Sequence, residues 1–320
     1  MSCRNNMHER VAAYLRTRRT LGFALDVEGR QLESFARFAD RQGHAGPLTL
    51  ALAVDWAKAS RTPEGLGPAR RLETLRPFAK YCRLFEPQTE VPPAHLFGPA
   101  HRRPTPHIYT EQELAQLLAA TAGLHPTDGL RPLTMRALLS LLAAAGLRIG
   151  EALRLHDADL DLRGQLLRVR GSKFRKSRLL PVQAGTAEAL AEYIEVRNRH
   201  LHCMSVPALF VFDDAEPLNV RRAEHAFGRL RKRLDWARAA RGPAPRLYDL
   251  RHTFACRRLL AWYEEGTDVN RMLPHLATYL GHAKVSDTYW YLTGIPELMA
   301  IAAQRFEQAA ALTGEERQCR

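Results

Sequence analysis

The sequence predicts a mainly α fold with a small β-hairpin or sheet, arranged as a helical N-terminal domain followed by an α+β C-terminal domain. Three observations predict it. Apolar residues recur at helical spacing over most of the chain, two short β-type runs flank one basic loop, and a proline-rich stretch separates two helical regions. At 320 residues the chain is long enough to bury two cores.

Residues 8–84 read as helices with loop punctuation: "HERVAAYLRTRRTLG", "VEGRQLESFARFADRQG", "TLALAVDWAKASR" and "LGPARRLETLRPFAKYCRLF". In the second, Leu32, Phe35, Phe38 and Ala39 form an apolar stripe, and polar residues hold the other faces. The stretch "EPQTEVPPAHLFGPAHRRPTP" has prolines that forbid helix and no apolar periodicity. This places a helical domain over 1–98, a linker over 99–108 and a second domain over 109–320. The second domain opens on a capping box, Thr110 with Glu113, at the head of "YTEQELAQLLAAT". "LRPLTMRALLSLLAAAG" is an apolar helix closed by Gly146, and "LRIGEALRL" resumes helical spacing. The β-type runs 165–170 and 178–182 make a hairpin around the loop "GSKFRKS". Helices follow at about 184–201, 219–238, 246–264, 268–280 and 296–312, with a short strand at "ALFVF".

Composition narrows the function. With 47 Lys+Arg against 34 Asp+Glu the net charge is +13, which favours a polyanionic partner. The excess is +5 before residue 98 and +8 after it, as a clamp around DNA needs. No apolar run approaches the roughly 20 residues that cross a bilayer, and the N-terminus lacks a signal-peptide core, so no membrane partner is expected. Five cysteines, Cys3, Cys82, Cys203, Cys256 and Cys319, stand singly without a CxxC pair. That spacing speaks against a zinc site and a disulfide framework, and for a reducing, cytoplasmic compartment. Neither GxxxxGK[ST] nor GxGxxG after a strand occurs, which argues against nucleotide use.

Four separated elements of the second domain share one explanation: Arg148 in "GLRIGEAL", Lys173 in the hairpin loop, Arg251 with His252 in "LYDLRHTFA", and His282 with Tyr291 in "LGHAKVSDTYWYLTG". Singly, each has a plain account. Arg148 pairs with Glu151 on its own helix, Lys173 is a solvated turn lysine, and His282 caps a helix after Gly281. In this order, and with Tyr291 nine residues after His282, the set resembles the tyrosine recombinases, the phage-integrase and Xer-like site-specific recombinases. The resemblance covers about 109–300, and the helical first part is similar to the family's core-binding domain. It implies a site-specific recombinase or integrase of a mobile element, associated with the nucleoid. Its partner is double-stranded DNA, cut and rejoined through a 3′-phosphotyrosine without metal, ATP or other cofactor. It also implies a tetramer of copies, or of copies with related recombinases, whose C-terminal helix docks on a neighbour or on its own chain. The tail offers such a helix, with Leu298, Ile301, Ala302 and Phe306 on one side.

The chemistry suits these residue types. Attack on a phosphodiester builds negative charge on the non-bridging oxygens, and arginine answers it with a planar, permanently charged fork. Arg148 and Arg251 are the expected clamp. In the family the tyrosine at this spacing is the nucleophile, hence Tyr291. Residues two apart on a helix point about 200° apart, so Tyr289 cannot face the same site and is assigned to packing. By the same resemblance the hairpin lysine protonates the leaving 5′-oxygen. Counting back from "KSRLLPV" gives Lys173 with Ser172 looped out, and Lys176 and Arg175 stay open as alternatives. His282 is expected to donate a hydrogen bond to the scissile phosphate.

One position departs from the pattern. The family usually has His three residues before the second arginine, and here Tyr248 stands there. A phenol donates a hydrogen bond but is a poor base at neutral pH, so His252 is a candidate to take part. The same departure leaves open a degenerate recombinase that holds DNA without cutting it. A type IB topoisomerase, with the same chemistry, and a helical scaffold binding nucleic acid nonspecifically rank below both.

Overall fold

The computed structural model describes residues 6–60, 66–101, 105–171, 177–202, 206–239 and 244–292. The chain divides into two compact units, Met1–Arg103 and Pro104–Arg320.

In the first unit α1 (Met7–Thr20), α2 (Asp26–Arg41), α3 (Leu50–Lys58) and α4 (Gly67–Arg83) surround one apolar core. Local chemistry starts the helices. The Asn6 side chain accepts from the His8 N–H, the Thr49 hydroxyl accepts from the Leu52 N–H, and Pro68 sits in the first turn of α4 where no N–H is needed. On α2, Leu32, Phe35, Ala36 and Ala39 are buried, whereas Phe38 packs half-buried at the edge of the core. Six residues past Leu32 the helix has turned to about 120° from it, which takes Phe38 off the centre of the stripe. Phe35 lies edge-on to Trp56 at 5.3 Å and to Phe78 at 6.4 Å.

In the second unit the capping box forms: the Glu113 N–H donates to Thr110 Oγ1, and the Thr110 N–H donates to Glu113 Oε2. It starts α5 (Glu111–Ala120). The buried helix α6 (Leu130–Ala145) then ends at Gly146, whose φ of 59° is left-handed. After α7 (Ile149–Ala152) come three antiparallel strands, β1 (Leu160–Asp161), β2 (Leu166–Val169) and β3 (Arg178–Pro181), in that spatial order. Leu167, Val169 and Leu180 face the core, while Arg168 and Leu179 face out. The remaining helices are α8 (Ala184–His200), α9 (Val220–Arg231), α10 (Asp235–Ala239), α11 (Leu247–Glu264), α12 (Val269–Leu280) and α13 (Ser286–Tyr289). The mainly α class with a small sheet holds, and no described helix is long and apolar enough to cross a membrane.

Four local expectations are corrected. "ALFVF" is not a strand: Ala208 and Val211 make only single bridges, to His156 and Pro217, so no ladder forms, and Leu209, Phe210 and Phe212 are buried as core. The helix expected over 219–238 breaks between Arg231 and Asp235, and "LRIGEALRL" holds a single turn, α7. The sheet has three strands rather than two, because Leu160 and Asp161 pair with Leu167 and Leu166.

Gly146 is needed twice over. Its φ is positive, and an added Cβ would lie 2.4 Å from the Phe254 ring on α11. Gly146→Ala is expected to destabilise the protein by about 1–3 kcal/mol, read as a lower denaturant midpoint at unchanged slope.

Candidate active site

The end of α12 organises the site. A helix C-terminus leaves carbonyls without intrahelical donors and carries partial negative charge. Here three consecutive carbonyls are each taken by a different arginine. Tyr279 O accepts from Arg178 Nε at 2.9 Å, Leu280 O from Arg251 Nη2 at 2.7 Å, and Gly281 O from Arg148 Nη2 at 3.0 Å. The arginines come from β3, from the start of α11 and from the residue before α7, so one short stretch gathers four parts of the unit.

Arg251 is fully buried. Its Nη1 also donates to Gly146 O at 2.8 Å, tying the end of α6 to the end of α12. Burial pulls its pKa down, and its Nε finds no hydrogen-bond acceptor among the described residues.

Arg148 is held by Glu151, whose Oε1 accepts from Arg148 Nη1 at 2.8 Å and whose Oε2 accepts from the Arg148 N–H. Arg178 binds the same carboxylate from the other side, Nη2 to Oε2 at 2.9 Å and Nη1 to Oε1 at 3.2 Å. Burial alone would raise the Glu151 pKa. The hydrogen bond and charge of Arg178, with the hydrogen bonds of Arg148, outweigh it and hold the carboxyl near 2. Glu151 is therefore ionised at any working pH.

His282 follows Gly281, which closes α12 at φ 67°. Its Nε2 lies 3.0 Å from Arg251 Nη2 and its Nδ1 2.8 Å from Thr288 Oγ1. A guanidinium only donates, so Nε2 accepts, and the neutral ring carries its proton on Nδ1 toward Thr288. Burial, then the charges of Arg251 and Arg148, push its pKa down to about 4. The expected donation from His282 to a phosphate is thus not set up in this arrangement.

Tyr291 lies in the 3-10 turn Trp290–Leu292 and is 3% exposed. Its ring stacks at 6.0 Å from the His282 ring and packs in the cluster of Leu259, Leu273, Leu276 and Leu280. Burial raises its pKa, and the charge and hydrogen bond of Arg251 oppose that rise. Tyr289 points the other way and is 47% exposed, so its assignment to packing was mistaken although the separation of the two faces is real.

Tyr248 and His252 lie one turn apart on α11. Tyr248 is exposed and stands edge-on to the His252 ring at 4.9 Å. His252 is buried against Trp290 at 4.9 Å and Tyr291 at 5.3 Å, and its Nδ1 has no partner among the described residues. Burial pushes its pKa down to about 4.

These two histidines predict acid sensitivity. Each folded-state value lies below the ordinary 6.5, so the unfolded chain binds more protons in acid. Their contribution to stability is complete above about pH 6.5 and is lost as pH falls toward 4. Thermal unfolding followed from pH 7 to 4 is expected to show a falling midpoint, with a shallower fall in His252→Gln.

Of the residues singled out from the sequence, Arg148, Arg251, His282 and Tyr291 come together, with Tyr248 at the rim. Lys173 and its alternatives Arg175 and Lys176, with Ser172, lie outside the described residues, as does the tail segment with Leu298, Ile301, Ala302 and Phe306. Sequence reasoning missed Arg178. Its only signal was its place in "KSRLLPV" beside the hairpin loop.

The model of the phage integrase family matches residues 108–295. The Sinorhizobium fredii protein y4rB, named as an integrase/recombinase, is 37% identical over 308 residues, covering 95% of this chain and 98% of its own. Tyrosine recombinase XerD of Xanthomonas campestris pv. campestris is 32% identical over 277 residues, covering 83% of this chain and 80% of its own. The fold is similar to that of the Tn1549 transposon integrase in complex with transposon right end DNA, with a TM-score of 0.65 at 17% identity over 95% of this chain and 99% of that one. A family match over more than half the chain, together with relatives of this identity along nearly all of it, places the chain in the phage integrase family as a tyrosine recombinase.

Proposed function

We propose that Tyr291 attacks a DNA phosphodiester, forming a 3′-phosphotyrosine link and releasing a 5′-hydroxyl, and that a second strand's hydroxyl reverses the step to rejoin DNA. The carrying observation is that Arg251 reaches both His282 and Tyr291, with the His282 ring stacked on Tyr291 and Arg148 held on the Gly281 carbonyl beside His282, all within one unit.

In this reading the phosphate sits against the Arg148 and Arg251 forks. The unpartnered Arg251 Nε is a ready donor for a phosphate oxygen. The Tyr291 phenol, kept protonated by burial, gives up its proton to solvent water as its oxygen bonds to phosphorus. The bond to the 5′-oxygen breaks, and Lys173 protonates that oxygen. Burial and then the charges of Arg251 and Arg148 hold His282 neutral; as the phosphate offsets those charges, His282 takes up a proton from solvent and becomes the donor its position calls for. The phosphate ester passes to tyrosine and back, so no nucleotide is consumed.

The substrate is double-stranded DNA, acted on by four copies, or by copies with related recombinases, as the recombinase of a mobile element. The test uses duplexes carrying the ends of the DNA that flanks the gene, nicked so that the released 5′-hydroxyl fragment diffuses away. A protein–DNA adduct that survives detergent is the expected result. Tyr248 favours one second reading, an accessory recombinase that holds DNA uncut; specific binding to the same duplex without an adduct would establish it.

A further inference from the structure

The reading of the active site gives no task to Arg178, a cation whose side chain is only 13% exposed. Its guanidinium spans two elements: Nη1 and Nη2 take both oxygens of Glu151, and Nε takes Tyr279 O. The approach depends on a glycine, since a Cβ on Gly281 would lie 2.8 Å from Arg178 Nη1. A structural ion pair would need no such third point.

Charge balance points to what the contact does. Glu151 orients Arg148, but an ionised carboxylate at 2.8 Å also cancels the charge that Arg148 would offer to a phosphate. Arg148 and Glu151 alone sum to zero. With Arg178 on the far side of the carboxylate the three sum to +1, and Glu151 is shared rather than closed on Arg148. The groups facing Glu151 are Arg148 beside its own helix, Arg178 from β3 and, at longer range, Arg251 from α11.

We propose that Arg178 is a positioning residue for strand cleavage: it neutralises Glu151 from behind, so that Arg148 is held in place and still presents a net positive charge to the phosphate. This rests on the active-site reading above. Arg178 touches neither the nucleophile nor the phosphate; it acts through Glu151 on Arg148 and through Tyr279 O on the segment that carries His282.

A double-mutant cycle in single-turnover cleavage of the nicked duplex tests it, with DNA affinity and thermal unfolding measured on each protein. Arg178→Gln is expected to slow cleavage by about a hundredfold, the scale for one lost electrostatic donor. DNA affinity should stay within about threefold, and Arg178→Lys, which keeps the charge without the fork, should lose about tenfold. In a Glu151→Gln background there is no carboxylate to neutralise, so adding Arg178→Gln should cost less than about threefold. If Arg178→Gln fails to fold, the comparison within the Glu151→Gln background still decides, because no buried carboxylate is left unpaired there. Unchanged cleavage by folded Arg178→Gln would overturn the proposal. So would a loss wholly explained by DNA affinity, or equal losses with and without Glu151. Absence of any adduct from the unaltered protein would instead defeat the active-site reading.

Discussion

A Tyr291→Phe protein is expected to bind its DNA with about the affinity of the unaltered chain and to form no covalent adduct on the nicked duplex. The substitution removes one oxygen and leaves the ring, which is 3% exposed and packed against Leu259, Leu273, Leu276 and Leu280 beside His282 and His252. Losing the hydroxyl's hydrogen bond to Arg251 costs about 1 kcal/mol of stability, far too little to unfold a domain of this size. Losing the nucleophile removes the covalent step altogether. Tyr289→Phe serves as the control, since that ring faces solvent and its loss should leave the adduct unchanged. An adduct persisting in Tyr291→Phe would transfer the role elsewhere, and peptide mapping of the DNA-linked fragment would say where.

Arg251→Lys is expected to slow cleavage by about a hundredfold to a thousandfold although the charge is kept. The native fork serves Gly146 O, Leu280 O and His282 Nε2 at once, from a fully buried position. A single ammonium cannot span these three directions, so the lysine protein keeps a cation without the fixed geometry that holds His282 and meets a phosphate oxygen. Arg251→Ala adds a cost in stability. It empties a buried volume and strips two buried carbonyls of their donors, for about 2–5 kcal/mol, read from the denaturant midpoint. Cleavage by Arg251→Lys within about threefold of the unaltered rate would remove Arg251 from the chemistry and leave it a packing role.

The cluster was legible because its members are marked by local strings. "GLRIGEAL", "LYDLRHTFA" and "LGH" followed by Tyr291 each sit at the head or tail of a helix, where backbone direction fixes where a side chain points. The plain account of Arg148 holds, since it pairs with Glu151, and the same pairing fixes the orientation that the proposed function requires of it. The same holds for Gly281 and His282, since the left-handed cap aims the imidazole. What the sequence hid depends on contacts between distant residues. Arg178 meets Tyr279 across 101 positions, and no local periodicity reports that. The neutral state of His282 in this arrangement was hidden as well, since it follows from burial and from Arg251 lying at its Nε2, a matter of three-dimensional placement. In the fold, "ALFVF" has a strand's composition, but its neighbours offer one pairing partner on each side, and composition does not count partners.

Along the row Tyr279, Leu280 and Gly281 the three arginines grip main-chain oxygens. Because a peptide carbonyl is the same on every residue, Tyr279 and Leu280 are open to changes of residue type as far as this grip is concerned, with glycine demanded at 281. Length is another matter. Adding or removing one residue between Tyr279 and His282 would slide the row by about 3.8 Å and mismatch all three guanidiniums at once. Drift in this stretch should therefore run through substitution, with insertions and deletions excluded.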